Sequence, residues 1–92
     1  MDLPEQRVVV HHRIRERHPD VTEDDVRTAW NSQIKRRKRE ELHPPQYAAV
    51  SFDAKGRLLQ MVAVYDPLND VVLIFHAMRA TWNMLNELGL SS

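Results

Sequence analysis

The sequence predicts a small α+β domain with the element order β-α-α-β-β-β-α, whose helices pack on one face of an antiparallel sheet. The spacing of the apolar residues, the length of the chain and its composition indicate this class. Apolar residues recur at helical spacing in the first half of the chain, then at a spacing of two from about residue 47, and again at helical spacing near the end. The length of 92 residues, with 42% hydrophobic and 28% charged residues, fits one folded domain over residues 1–92.

The first predicted elements are a strand and a short helix. Residues 7–10 are mainly β-branched, which favours a strand. Residues 11–18 are polar apart from Ile14, so we expect a surface helix that packs through Ile14. Pro19 should end that helix, because the residue before a proline disfavours helical backbone.

The second helix has the clearest start signal in the chain. Thr22 followed three residues later by Asp25 predicts a capping box, and Val21 and Val26 are spaced for a hydrophobic staple. Apolar residues then recur every four positions, at 26, 30 and 34, which predicts a helix from about residue 23 to about residue 33.

Five consecutive cations follow at residues 35–39. Adjacent like charges repel, and the Pro-Pro pair at 44 and 45 blocks helix formation. The sequence therefore predicts a loop or a frayed helix end for this basic run.

The second half predicts three strands and a closing helix. The strands are expected at residues 47–52, 57–65 and 71–77, joined by tight turns into an antiparallel meander. Residues 79–88 form a helical pattern in which Trp82, Leu85 and Leu88 share a face, and Gly89 can end the helix in a left-handed conformation.

Composition limits the classes of function. The 13 basic and 13 acidic residues cancel, so attraction to nucleic acid must come from local charge. Residues 7–39 hold ten Lys or Arg against five acids, which predicts a basic end. The absence of cysteine excludes disulfides and thiolate chemistry. Residues 1–6 lack a signal-peptide pattern, and no apolar run is long enough for a membrane span, so we expect a cytoplasmic protein.

Two motifs in the second half resemble a known family. The run Gly-Arg-Leu-Leu at 56–59 and the run Ala-Met-Arg-Ala-Thr at 77–81 bracket a hairpin, as in the BrnT-like toxins of bacterial toxin–antitoxin pairs. Residues 12–17 and 22–26 are similar to the histidine, Arg-rich helix and following helix start of related small toxins. The matches occur in the expected order over most of residues 7–81.

This resemblance implies a RelE-like fold and a type II toxin that cleaves RNA, an mRNA interferase acting on free or ribosome-bound RNA without a cofactor. It also implies neutralisation by a small antitoxin protein, often one with a ribbon-helix-helix segment.

Residues suited to RNA cleavage lie near the end of the last strand. Histidine can move protons near neutral pH, and arginine holds two phosphate oxygens at once. His76 and Arg79 flank that strand end, and Arg57 is expected at the same edge of the sheet in a meander. His12, or its neighbour His11, is a further catalytic candidate from the start of the first helix. No two histidines have an i, i+4 spacing, so we expect no metal site.

The basic run and one tyrosine are candidates for binding RNA or an antitoxin. Cations can contact RNA phosphates or an acidic protein segment, and a tyrosine can stack on a base. The candidate residues are Lys35, Arg36, Arg37, Lys38, Arg39 and Tyr65.

Two other functions stay open at this point. One is a catalytically inactive RelE-like protein-interaction module, which is indicated by the zero net charge and by Met78, at a place where relatives of the family it resembles carry a basic residue. DNA binding through the first two helices is a weaker alternative, since the second helix begins with three acids.

Overall fold

The computed structural model describes residues 7–90. Residues 1–6, for which the sequence predicts no signal peptide, and residues 91–92 lie outside this description. Its elements are β1 (Arg7–Val10), α1 (Arg13–Arg17), α2 (Glu23–Asn31), β2 (Lys35–Arg39), β3 (Gln46–Phe52), β4 (Leu58–Asp66), β5 (Val71–Arg79) and α3 (Trp82–Glu87). None of the helices within residues 7–90 is long and apolar enough to cross a membrane.

The five strands form one mixed sheet in the order β1-β5-β4-β3-β2. The predicted α+β class is confirmed, and β3, β4 and β5 form the antiparallel meander that the turn signals predict. The expectation of a purely antiparallel sheet is wrong, because β1 pairs in parallel with β5, from Arg7 opposite Val71 to Val10 opposite Ile74. The element order also contains one more strand than predicted.

The additional strand is the basic run. The prediction of a loop or helix end at residues 35–39 is wrong, since these residues form β2 and pair with β3. Alternation along a strand sends neighbouring cations to opposite faces of the sheet, and an edge position keeps them in water. Two of them are also ion-paired, because the carboxylate of Glu87 in α3 binds both Arg37 and Arg39.

The helices cover both faces of the sheet, so the expectation that they share one face is wrong. One core cluster joins α1 and α2 to the sheet and includes Ile14, Val26, Leu59, Met61 and Ile74. A second cluster lies on the opposite face beneath α3 and includes Ala48, Val50, Val62, Met84 and Leu88. The sheet is therefore buried from both sides, which explains why its central strands alternate little between apolar and polar residues.

Local helix signals are largely confirmed. Ile14 is buried, and Thr22 and Asp25 form the predicted capping box, with N···O distances of 2.9 and 3.1 Å. The helix α2 ends earlier than expected, and Ile34 lies beyond it and is half-exposed.

The closing helix is shorter than predicted because Thr81 caps it, and its first residue, Trp82, is 75% exposed. Gly89 adopts the predicted left-handed conformation, with φ of 71°. The apolar side chains that α3 buries are those of Met84 and Leu88.

Candidate functional site

The surroundings of His76 are set by the end of β1 and by a bulge in β5. Val62 pairs with His76 while the next residue, Ala63, pairs with Ile74, so Phe75 is the extra residue of a β-bulge. β1 ends opposite Ile74, and the His11 amide donates to the Ile74 carbonyl at 2.8 Å. Beyond that point β5 has no strand on this side, and α1 lies against it instead.

A cavity of about 230 Å³ separates α1 from this part of β5. We call it the histidine cleft; its polar lining residues are His11, Arg13, Arg17, His18 and His76. A second cavity, of about 370 Å³, shares Arg17 and His76 with the cleft and is also lined by Arg39, Gln46 and Gln60. The parallel pairing of β1 with β5 thus places α1 beside His76, with His11 before the helix and His18 at its end.

The tautomer of His76 follows from its hydrogen bonds. The Thr81 backbone amide, which can only donate, bonds Oε1 of Gln60 at 2.8 Å, and the Thr81 hydroxyl bonds the same oxygen at 2.9 Å. The other amide atom of Gln60 is therefore nitrogen, and it lies 2.9 Å from Nε2 of His76. Because an amide nitrogen only donates, Nε2 of His76 accepts, and the neutral ring carries its hydrogen on Nδ1.

The protonation of His76 is biased toward the neutral form. Burial lowers the pKa of His76, and the nearby charges of His18, Arg39 and Arg17 lower it further. Protonation would also put a hydrogen on Nε2, where it would face the amide hydrogens of Gln60 and break the hydrogen bond that Nε2 accepts from them. His76 is thus a neutral hydrogen-bond donor at pH 7, through Nδ1, as long as Gln60 holds it.

Two further histidines reach the cleft from the ends of α1. The Arg13 amide donates to Nδ1 of His11 at 3.1 Å, so a neutral His11 carries its hydrogen on Nε2. His18 caps the carboxyl end of α1 and its backbone amide donates to the Ile14 carbonyl. His18 is not among the site residues predicted from the sequence. Its signal was the spacing of four from Ile14, which puts both side chains on one side of the helix.

The arginines around His76 differ in their availability. Nε and Nη2 of Arg39 each bond Glu87 at 2.7 Å, and its Nη1 bonds Gln46 at 3.2 Å. Arg13 and Arg17, by contrast, are exposed, and neither side chain forms an ion pair within residues 7–90. The two unpaired guanidinium groups are the cations that an anionic ligand in the cleft can bind.

Arg57 does not join His76. Its Nε bonds Asp53 at 2.8 Å, its Nη2 bonds Asp25 at 2.9 Å, and its Nη1 bonds the Asp20 carbonyl at 2.9 Å. These partners lie on the face where α2 packs, whereas His76 bonds Gln60 beside α3. The expected convergence of the two residues at one rim is therefore absent, and Arg57 instead joins the start of β4 to α2.

The two buried carboxylates around Arg57 are ionised. Burial acts to raise the pKa of Asp25, but hydrogen bonds from Thr22 and Lys55 outweigh it, and the pKa is lowered. Burial likewise opposes ionisation of Asp53, and the hydrogen bonds and charge of Arg57 lower its pKa. This network of one arginine and buried carboxylates is a structural element of the fold.

The other predicted site residues lie apart from the cleft. Arg79 is exposed at the end of β5, opposite Leu59 in β4. His12 stacks on His11 with ring centroids 4.5 Å apart, and it lines a different cavity, between α1 and Glu23 of α2.

The predicted binding residues also lie elsewhere. Tyr65 donates to Asp70 at 2.7 Å, and this bond raises the pKa of Tyr65, near the turn that follows β4. The basic run forms the β2 edge, where only Arg39 reaches the second cavity. Within residues 7–90, no group of three or more His, Asp or Glu side chains is placed to hold a metal ion.

Comparison of the chain with protein-family models, with curated proteins and with solved structures finds no match. The resemblance to BrnT-like toxins therefore stays a prediction, and the properties that follow from it are proposals.

Proposed function

We propose that this protein is an RNA-cleaving endoribonuclease whose active site is the histidine cleft. The observation that carries the proposal is the neutral, half-buried His76 with a fixed Nδ1 hydrogen, in a cleft that also presents His18 and two unpaired arginines. Proton transfer and phosphate stabilisation are the two requirements of RNA cleavage by the ribose 2′-hydroxyl. The cleft supplies side chains for both.

The roles follow from the hydrogen-bonding state of each ring. Arg13 and Arg17 hold the non-bridging oxygens of the scissile phosphate, and Nδ1–H of His76 donates to one of them as charge develops. His18 accepts the proton of the 2′-hydroxyl, which attacks phosphorus. His11 acts in its imidazolium form, which gives up the hydrogen bond from the Arg13 amide, and it donates its Nε2 proton to the departing 5′ oxygen to become neutral. The products are a 2′,3′-cyclic phosphate and a 5′-hydroxyl.

The biological role proposed with this activity is that of a toxin neutralised by a small antitoxin protein. Its support is the ordered set of motifs at residues 12–17, 22–26, 56–59 and 77–81. Expression of the chain alone should then arrest bacterial growth, and co-expression of the antitoxin should restore it.

The direct test is cleavage of an end-labelled RNA oligonucleotide by the purified chain in the presence of EDTA. Wild-type protein should give fragments ending in 2′,3′-cyclic phosphate, and 2′-deoxy substitution at the cleaved position should abolish them. His76→Ala and His18→Ala should each reduce the rate by at least about 100-fold. The matched control is His43→Ala, an exposed histidine outside both cavities, which should cleave at the wild-type rate. Intact RNA after incubation with folded wild-type protein contradicts the proposal.

A second candidate function is a non-catalytic binding module. It is favoured by the engagement of Arg57 with three aspartates and of Nε2 of His76 with Gln60, which leaves two candidate catalytic groups occupied. RNA integrity in cells that express the protein separates the two functions. Growth arrest with intact RNA would favour the module.

A further inference from the structure

The strand β2 lies at an open edge of the sheet. Among residues 7–90 it pairs only with β3, and the strand order ends at β2. Alternate residues of an edge strand direct their N–H and C=O groups outward, where only water or another strand can bond them. The outer side of β2 is therefore a template for one more strand.

The charges on this edge are distributed over both faces of the sheet. Arg36 lies 5.6 Å from the centroid of the Tyr47 ring and Lys38 lies 5.9 Å from it, on the α2 side. Arg37 and Arg39 point to the opposite side, where Glu87 binds them. Lys35 is exposed and forms no ion pair within residues 7–90.

Five cations decide which strand can pair with this edge. A second copy of the same edge would place like charges directly opposite one another, which destabilises a strand pair. An extended segment with acidic side chains on the α2 side would instead place carboxylates beside Arg36 and Lys38. The edge thus disfavours self-association and favours an acidic partner.

We propose that β2 accepts an extended acidic segment of a partner protein as the sixth strand of the sheet. RNA is the less favoured occupant of this edge. A polynucleotide has no repeating N–H and C=O ladder to match the outward groups of β2, and its phosphates cannot follow cations that alternate between two faces. The inference is independent of whether the histidine cleft cleaves RNA.

The test uses a heptapeptide of alternating Glu and Val, titrated into the ¹⁵N-labelled full chain at low salt. Its binding should shift the amide resonances of residues 35–39 and slow hydrogen exchange of the outward amides of β2 by at least about tenfold. Two control peptides separate charge from strand pairing. One keeps the sequence but carries N-methyl groups on alternate amides, and the other replaces Glu by Lys.

Protein variants test the charge argument. Arg36→Glu combined with Lys38→Glu should reduce affinity for the Glu peptide by at least about tenfold and give measurable binding of the Lys peptide. Arg7→Glu combined with Arg15→Glu makes the same charge change near the opposite edge and should reduce affinity less than threefold. A ¹⁵N spectrum of each variant establishes that it is folded.

Three outcomes overturn the proposal. The first is equal binding of the N-methylated peptide, which would show charge attraction without strand pairing. The second is the absence of any protection at residues 35–39. The third is protection of those amides by a single-stranded RNA oligonucleotide but not by the peptide. None of these outcomes bears on RNA cleavage, so failure here is distinguishable from failure of the endoribonuclease proposal.

Discussion

The side-chain amide of Gln60 donates to Nε2 of His76 at 2.9 Å, while its oxygen accepts two hydrogen bonds from Thr81. This arrangement fixes both the orientation of the amide and the tautomer of the imidazole. It makes His76 a donor toward a ligand, because the basic nitrogen of the ring is already occupied. The base in the proposed reaction is consequently His18, which lines the same cleft.

Replacing the donor by an acceptor should reverse the behaviour of His76. In Gln60→Glu, one carboxylate oxygen keeps the bonds to Thr81 and the other accepts from Nε2–H of His76, so the charged ring is favoured. We expect the pKa of His76 to rise, together with transfer of the hydrogen to Nε2 in the neutral ring. ¹⁵N chemical shifts of the ring nitrogens measure both changes.

The matched control for this substitution is Gln46→Glu. Gln46 lines the second cavity with His76 but bonds Arg39 instead. It adds the same charge without contacting the ring, so the tautomer of His76 should stay unchanged. A tautomer change in this control, or none in Gln60→Glu, would contradict the assignment.

RNA cleavage should depend on pH through His76. Burial and the charges of His18, Arg39 and Arg17 lower the pKa of His76, so the neutral donor persists below the ordinary histidine range. Protonation keeps the Nδ1 hydrogen but adds one on Nε2, which breaks the hydrogen bond from Gln60 that orients the ring, so the contribution of His76 should be complete above pH ~6.5 and fall as the pH drops through its lowered pKa. In Gln60→Glu the neutral ring lacks the Nδ1 hydrogen and the charged ring regains it, so the rate of the variant relative to wild type should instead rise as the pH falls. Rates of both proteins between pH 4.5 and 8, at constant ionic strength, check this.

Arg57 should contribute to stability. Arg57→Met leaves the buried carboxylate of Asp53 without its cation and that of Asp25 with Lys55 alone, and we expect the thermal midpoint to fall by about 10–20 °C at pH 7. Arg79→Met, at an exposed position that forms no ion pair within the described part of the chain, is the matched control and should change the midpoint by less than about 4 °C.

The pH dependence of stability should differ in sign between the wild-type protein and Arg57→Met. The folded-state pKa values of Asp25 and Asp53 are lowered, so their contribution is complete above the unfolded value of about 3.9 and lost as the pH falls through the folded values. In Arg57→Met, Asp25 keeps its hydrogen bonds from Thr22 and Lys55, whereas the buried carboxylate of Asp53 loses its cation and should protonate more readily than in the unfolded chain. The variant should therefore gain stability relative to wild type as the pH is lowered from 7 toward 4, as measured by urea unfolding.

Glu87 should restrain the cations at the end of β2. Arg39 lowers the pKa of Glu87 through two short hydrogen bonds, and Arg37 adds a third at 2.9 Å. Glu87→Gln should lower the thermal midpoint by about 4–8 °C. It should also free both arginines, so the slope of log affinity for single-stranded RNA against log salt should steepen by about 0.7 per arginine that engages phosphate.

Glu41→Gln is the control for that substitution. Glu41 forms one ion pair within residues 7–90, with Arg37 at 3.4 Å, and is 59% exposed. We expect a change in thermal midpoint below about 4 °C and an unchanged salt slope. Equal effects of the two substitutions would show that the contact between α3 and β2 has no special role.

Local patterns in the sequence predicted much of the fold. The capping box of Thr22 and Asp25 and the left-handed Gly89 depend on residues within four positions of one another, and Ile14 was recognisable as the one apolar residue in a polar helix. The β2 strand was missed because its cations repel when considered along the chain alone. Their pairing with β3, 7–15 residues away, and with Glu87, about 50 residues away, stabilises the strand.

The sequence by itself determined the α+β class, the meander and the presence of histidine and arginine near the end of β5. Only the tertiary structure decided which of these groups meet, because the parallel pairing of β1 with β5 brings α1 beside His76. Alternation across the sheet separates Arg57 from His76, and hydrogen bonds from distant residues set the state of each ring. Periodicity along a chain reports which face a residue occupies, whereas convergence depends on pairings between segments far apart in sequence.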